Sequence, residues 1–247
     1  MKIAFFDSGM GGLTVLKTAI KRIPDHHYVY FADCKNAPYG NKSKEEIKQI
    51  TFQAVEFLTT LNIDILVIAC NTATSAAVTD LRKKYSFPII GMEPAIKPAV
   101  EKKNNKRILV FATELTLKEE KFKKLVERVD KENSVDYLPL QELVGMAEKF
   151  EFEDQKVIDY LQKKLSEVNL SSYETVVLGC THFPYFKKHF RQLLPKHIKI
   201  IDGNEGTINR LMQFVTSENE TQQLEYYIST VKSNSETFEK YLTYTES

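Results

Sequence analysis

The sequence predicts an α/β fold made of two pseudo-symmetric parallel-sheet α/β domains facing a shared cleft. Three observations predict it. Short, continuous apolar runs alternate with amphipathic stretches from end to end, which is how strands buried on both faces and their crossover helices read. One strand-and-loop segment occurs twice. Asp64-Ile65-Leu66-Val67-Ile68-Ala69-Cys70-Asn71-Thr72 and Glu174-Thr175-Val176-Val177-Leu178-Gly179-Cys180-Thr181-His182 each run acid, apolar strand, small residue, cysteine, polar groups. Finally, 247 residues with 43% hydrophobic and 27% charged content suit one large domain or two modest ones with real cores.

Taken in order, Ile3–Phe6 is the first strand, and Asp7 with the glycines Gly9, Gly11 and Gly12 follows it. Tyr28–Ala32 is the second. A helix begins at Ser43, where Glu46 completes a capping box. Its residues Ile47, Ile50, Ala54, Phe57, Leu58 and Leu61 fall on one face. Further strands follow at Ile65–Ala69, Pro88–Gly91, Ile108–Ala112, Thr175–Leu178 and Lys199–Ile201. Near the end, 217–223 is polar enough for a loop. Tyr226–Val231 reads as a strand and Glu236–Leu242 as a helix.

Several function classes fall away. Lys plus Arg is 34 against 33 for Asp plus Glu, a net charge of +1. That gives no electrostatic reason to expect nucleic acid or an anionic membrane as partner. The cluster Lys102, Lys103, Lys106, Arg107 reads as a solvated loop. No apolar run approaches the roughly 20 residues of a membrane helix, and the apolar start is too short for a signal peptide. The chain is therefore expected in the cytoplasm, where Cys34, Cys70 and Cys180 form no disulfide framework. No closely spaced cysteine pair suggests zinc.

The chemistry gathers around two of these cysteines. Cys70 and Cys180 each lie just beyond a strand and ahead of a helical pattern, where free backbone amides favour an anion. One thiolate can take a proton from one face of a carbon while a thiol on the other face returns one. The carbon inverts, and each cysteine is base in one direction and acid in the other. The plainer state of a free cysteine is a small buried hydrophobe. Cys34, in a loop with no matching partner, takes that reading. Asp7 suits a substrate ammonium or a proton relay, and it is also placed to cap a helix. His182 could pair with the Cys180 thiolate or shuttle its proton; equally it could simply start a helix, and Pro184 fits either role. Ser8, Asn71, Thr72 and Thr181, with helix-start amides, can hold carboxylates or serve as caps. The glycine loop also invites a dinucleotide site with Asp33 on the ribose. It lacks the third glycine of that fingerprint, and Asp7 would repel a pyrophosphate.

Four motifs then carry a resemblance: Asp7-Ser8-Gly9 with Gly11-Gly12-Leu13-Thr14-Val15; Pro38-Tyr39-Gly40; Cys70-Asn71-Thr72-Ala73-Thr74; and Gly179-Cys180-Thr181-His182-Phe183-Pro184. In this order, from Ile3 to beyond Pro184, the chain resembles the glutamate racemases of the aspartate/glutamate racemase family. Related aspartate racemases usually carry glutamate at the position of His182. The resemblance implies interconversion of L- and D-glutamate, with D-glutamate going to peptidoglycan, and no pyridoxal phosphate, metal or other cofactor. It implies a homodimer and two α/β domains with substrate between them, residues 1–93 plus 206–247 forming the first and 94–205 the second. It implies that Cys70 deprotonates D-glutamate and Cys180 L-glutamate. Asp7 then assists Cys70, His182 assists Cys180, and Glu148 is a further acid near the site. Asp7, Ser8, Pro38, Tyr39, Gly40, Asn71, Thr72, Thr113, Thr116, Thr181 and His182 would hold the substrate. Three places depart from the family pattern. Gln141 to Glu148 replaces a usually proline-rich segment, the Thr113-Glu114-Leu115-Thr116 loop matches it only in part, and Cys34 stands where threonine is more usual. Two alternatives remain: a relative acting on another small acid such as aspartate, and a non-catalytic binder of acidic amino acids or nucleotides. A pair of matched thiols argues against the binder.

Overall fold

The computed structural model describes residues 1–104, 106–118, 120–153, 155–216 and 221–244. By contacts the chain forms two compact units, Met1–Glu93 with Asn204–Thr243, and Pro94–Gly203 with Tyr244.

The first unit opens with β1 (Lys2–Asp7), α1 (Leu13–Arg22), β2 (His27–Ala32), α2 (Lys44–Thr59), β3 (Ile65–Ile68), α3 (Asn71–Lys84) and β4 (Ile89–Gly91). The second holds α4 (Ile96–Glu101), β5 (Arg107–Ala112), α5 (Glu114–Lys118), α6 (Glu120–Val129), β6 (Val135–Pro139), α7 (Glu142–Glu148), α8 (Gln155–Leu165), β7 (Tyr173–Leu178), α9 (Lys187–Leu193) and β8 (Lys199–Asp202). The chain then returns to the first unit with α10 (Asn204–Leu211), β9 (Gln223–Ile228), β10 (Val231–Ser233) and α11 (Glu236–Thr243).

Among the described residues, the first sheet runs β10-β9-β2-β1-β3-β4 and the second β6-β5-β7-β8. Every pairing is parallel except β9 with β10. The segment β2-β1-β3-β4 thus has the same order as β6-β5-β7-β8. In each, the first strand lies between the second and the third, so the connections diverge at that strand's end. Open α/β sheets bind ligands at such a switch point.

The repeat extends to single hydrogen bonds. Ala69 donates its N–H to Phe6, and Gly179 donates its N–H to Phe111. Asp33 donates to Asp7, and Leu140 donates to Ala112. Ala69 therefore matches Gly179, Asp7 matches Ala112, and Cys70 matches Cys180.

The strands are continuous in hydrophobicity because both sheet faces are covered. In the second unit, Ile108, Val110 and Ala112 pack with Ile96, Phe122 and Val126 of α4 and α6. Phe111, pointing the other way, meets Phe190 of α9 at 5.2 Å. In the first unit, Ile3 to Phe6 are fully buried. The capping box of α2 forms: Glu46 N–H donates to Ser43 Oγ at 3.3 Å, and Ser43 N–H donates to Glu46 Oε2 at 2.8 Å.

Several sequence expectations change. β6 was not foreseen. It is an edge strand, buried only at Val135 and Leu138, and it carries Asp136, so it lacks the continuous apolar run of its neighbours. The expected strand Tyr226–Val231 is two strands, because Ser229 at φ 52° turns the chain between β9 and β10. Gln223 starts β9 rather than ending a loop, while residues 217–220 of that expected loop lie outside the described residues. Leu61 falls beyond the end of α2. The expected loop at 113–116 is helical from Glu114 onward, where α5 begins, with Thr113 just ahead of it. Cys34 is half-buried rather than a buried hydrophobe.

Candidate active site

In the first unit, the ends of β1 and β3 bring Asp7 and Cys70 to one switch point. Cys70 is the N-cap of α3, and its Sγ accepts from Ala73 N–H at 3.4 Å. The free amides of that fourteen-residue helix favour negative charge on the sulfur. Ser8 Oγ lies 3.6 Å from the same sulfur. Asp7 is fully buried, and its Oδ1 accepts from Gly9 N–H at 3.0 Å. Gly12 allows α1 to start this close. A Cβ there would stand 2.6 Å from Asp7 Cβ and 2.9 Å from the Tyr30 hydroxyl oxygen.

Beside Cys70, Asn71 and Thr72 are buried at the first turn of α3. Asn71 Oδ1 has no hydrogen-bond partner. A buried acceptor without a donor is costly. Tyr39 and Gly40 form a short 3-10 turn after Pro38, which is exposed. The Tyr39 hydroxyl donates to Asp33 Oδ2 at 2.6 Å. Its titration is pushed far up by burial, then by Asp33, with Cys70 and Asp7 adding to it. The hydroxyl therefore stays protonated within electrostatic reach of both site groups.

In the second unit, β7 ends at Leu178 and Cys180 follows. No α-helix starts at this cysteine, contrary to the sequence expectation. A 3-10 turn at Phe183–Phe186 comes first, with His182 at its N-cap position. The imidazole takes over the role that helix amides play for Cys70. Cys180 Sγ is 3.6 Å from His182 Nδ1, and His182 Nε2 is 2.5 Å from Glu148 Oε1. His182 is 3% exposed. Burial works against its charge, yet the hydrogen bonds and charges of Cys180 and Glu148 outweigh it, and its pKa stands well above 6.5. Both ring nitrogens are then donors, one to sulfur and one to carboxylate. Thr181 is buried next to the thiol. Thr113 and Thr116 are joined at 2.9 Å through their hydroxyls at the end of β5, the strand beside β7.

The structure thus groups Asp7, Ser8, Tyr39, Cys70, Asn71 and Thr72 at one switch point. It groups Cys180, Thr181, His182 and Glu148 at the matching place, with Thr113 and Thr116 on the adjacent strand end. The dinucleotide alternative loses its ribose acid. Asp33 is 2% exposed and is held by Tyr39, Asn36 and Ser229. The contact between Asp33 and Ser229 was missed from sequence. The only nearby signal was Asn36, three residues after an acid at a strand end. Among the described residues, no group of three or more His, Cys, Asp or Glu side chains is placed to hold a metal ion. No helix among them is long and apolar enough to cross a membrane.

Matched thiols at matched strand ends of an α/β fold, each with its own polar support, are groups with which an enzyme can move protons. Known proteins supply the family. The profile of the Asp/Glu/Hydantoin racemases matches residues 14–211. The glutamate racemase of Halothermothrix orenii is 51% identical over 98% of each chain. The crystal structure of glutamate racemase from Campylobacter jejuni superposes with a TM-score of 0.84 at 30% identity, over 98% of this chain and 96% of that one. The Escherichia coli glutamate racemase, solved with L-glutamate and the activator UDP-MurNAc-ala, gives a TM-score of 0.80 at 32% identity over 86% of this chain and 81% of its own. The chain belongs to the Asp/Glu/Hydantoin racemase family, and the resemblance to glutamate racemases drawn from the four motifs holds.

Proposed function

We infer that this protein is a glutamate racemase, an isomerase that interconverts L- and D-glutamate by exchanging the proton at Cα. The observation that carries the mechanism is the register equivalence of Cys70 and Cys180, each at a switch point. In the L-to-D direction, the Cys180 thiolate takes the α-proton and the Cys70 thiol delivers its own to the opposite face. In the reverse direction the roles exchange. After either turnover the two protonation states must be reset before the same direction runs again.

An amino-acid α-proton is a very weak acid, so thiolates alone do not suffice. Fixed dipoles and exclusion of water must stabilise the developing carbanion. The buried hydroxyls of Thr72, Thr113, Thr116 and Thr181 and the amides around Tyr39 and Gly40 are the groups available to hold carboxylates. Asp7 and the unpartnered Oδ1 of Asn71 suit the substrate ammonium. Glu148 orients and charges His182, which supports Cys180; Ser8 and the α3 amides support Cys70. His182 stands where aspartate racemases usually carry glutamate, which favours glutamate over aspartate. On this reading the protein is a cytoplasmic homodimer that supplies D-glutamate for peptidoglycan.

The test is direct. Purified protein without added cofactor should racemise L-glutamate and introduce deuterium at Cα from heavy water, and a parallel assay with aspartate should be much slower. Cys70→Ala and Cys180→Ala should each lower racemisation by about 10³-fold or more. Absence of both isotope exchange and optical change in the wild type sinks the reading; full activity in either variant ends the two-thiol mechanism.

A further inference from the structure

Residues 33–41 run from the end of β2 to the 3-10 turn of Tyr39 and Gly40, outside any sheet. Their course is set by one buried carboxylate. Asp33 Oδ2 accepts from the Tyr39 hydroxyl at 2.6 Å, and both oxygens accept from Asn36 Nδ2 at 3.0 and 3.1 Å. Its remaining side-chain partner comes from 196 residues away: Ser229 Oγ donates to Asp33 Oδ1 at 3.3 Å. All three donors are neutral. A buried carboxylate needs such donors, and its bonds are the stronger for its charge. The same Ser229 oxygen accepts from Lys35 N–H at 3.2 Å. A single hydroxyl thus uses its donor and an acceptor position on two residues of one loop.

The turn itself does not call for serine. Ser229 has φ 52°, a conformation that glycine adopts without strain and other residues adopt at a cost of about 1 kcal/mol. Nor is the hydroxyl needed to hold β9 in place. β9 already pairs with β2 from Gln223 to Ile228, and Ser229 N–H extends the ladder to Ala32 at 2.7 Å. What serine adds over glycine is the pair of contacts beyond the strand, into the loop that carries Tyr39.

We propose that Ser229 is a positioning residue for substrate binding, acting through Asp33 and Tyr39 on the Tyr39–Gly40 amides. Tyr39 is also wedged against Phe6, the residue before Asp7, with ring centroids 6.5 Å apart. A loop released from Asp33 would present its amides in more orientations, and the ordering would fall on the binding step. The inference rests on the reading above, in which those amides hold glutamate.

Ser229→Gly relieves the backbone while deleting the hydroxyl, so the fold is retained. It should raise KM for both enantiomers about fivefold, the share of the lost hydrogen bonds that reaches the binding step through the loop, with kcat within about twofold of wild type. Tyr39→Phe should also raise KM. The two effects should fall short of additive in Ser229→Gly/Tyr39→Phe, because both act through Asp33. An unchanged KM in Ser229→Gly overturns the proposal, whatever its melting temperature, and so does full additivity. A wild-type protein inert toward both enantiomers removes the reading beneath it, and the proposal with it. Normal wild-type kinetics with an unmoved KM in Ser229→Gly overturns the proposal alone.

Discussion

His182 shows how a neighbour can outweigh burial at one residue. Two histidines of the second unit are each 3% exposed. In His189, burial prevails and its pKa is lowered. In His182, burial pulls the same way, but Cys180 and Glu148 push the pKa well above 6.5. Stability from the charged His182 is therefore complete below about pH 6.5 and is lost as pH rises through the elevated value. Glu148→Gln removes one of the groups that hold this charge. The alkaline limb of its kcat/KM profile should begin at lower pH than in the wild type; coincident limbs would show that the carboxylate does not govern His182. Cys70, Cys180 and His182 were legible in the sequence because each sits in a strand-end motif that occurs twice or matches a family pattern. Glu148 was legible only through the resemblance, since nothing near it in sequence points to His182. The bond from Ser229 to Asp33 was not legible, because side-chain partners 196 residues apart leave no local pattern.

Among the elements, β7 and its small-residue end control where a thiol is placed. A Cβ on Gly179 would stand 2.9 Å from the Phe111 carbonyl oxygen and 3.2 Å from Ala112 Cβ. The matching position in β3's extension carries Ala69, which is accommodated. Gly179→Ala should therefore force β7 away from β5, cost about 1–3 kcal/mol, and reduce kcat by shifting the adjacent Cys180. Thermal melts and steady-state kinetics check both parts, and a neutral result in both would mean the strand end yields freely. The buried strands could be read from sequence because neighbours on both faces demand continuous apolar runs. β6 could not, because an edge strand need not be apolar throughout: Asp136 stands within it and Tyr137 is 42% exposed. The helix expected directly at Cys180 is replaced by a 3-10 turn with Pro184 in its first positions. Backbone support for the two sulfurs consequently differs, although their register is the same.

For the molecule as a whole, each unit repeats one strand order; the doubled cysteine segment pointed in sequence to two similar halves, though not to that order. It did not show how the final strands complete the first sheet. Glu225 of β9 binds His27 at 2.7 Å, Lys232 at 2.6 Å and Lys2 at 3.7 Å. The Lys232 hydrogen bond leads in lowering its pKa from 4.5 to about 2 against the opposing effect of burial. Because the folded value is depressed, this stabilisation is present above about pH 4.5 and is lost as pH falls toward 2. Glu225→Gln should lower stability at neutral pH and show a shallower decline across that acid range in urea melts. Equal slopes for the two proteins would show that this cluster carries little of the acid sensitivity.

The late position of β9 bears on how the polypeptide is made. β2 emerges from the ribosome nearly two hundred residues ahead of the strand that pairs with it from Gln223 to Ile228. During synthesis, therefore, the amino-terminal sheet waits with one edge uncovered while the four strands of the middle segment already have all their partners. Nascent chains halted before Gln223 should expose β2 to chaperones or to one another, and the first sheet is completed only once β9 and β10 have been made.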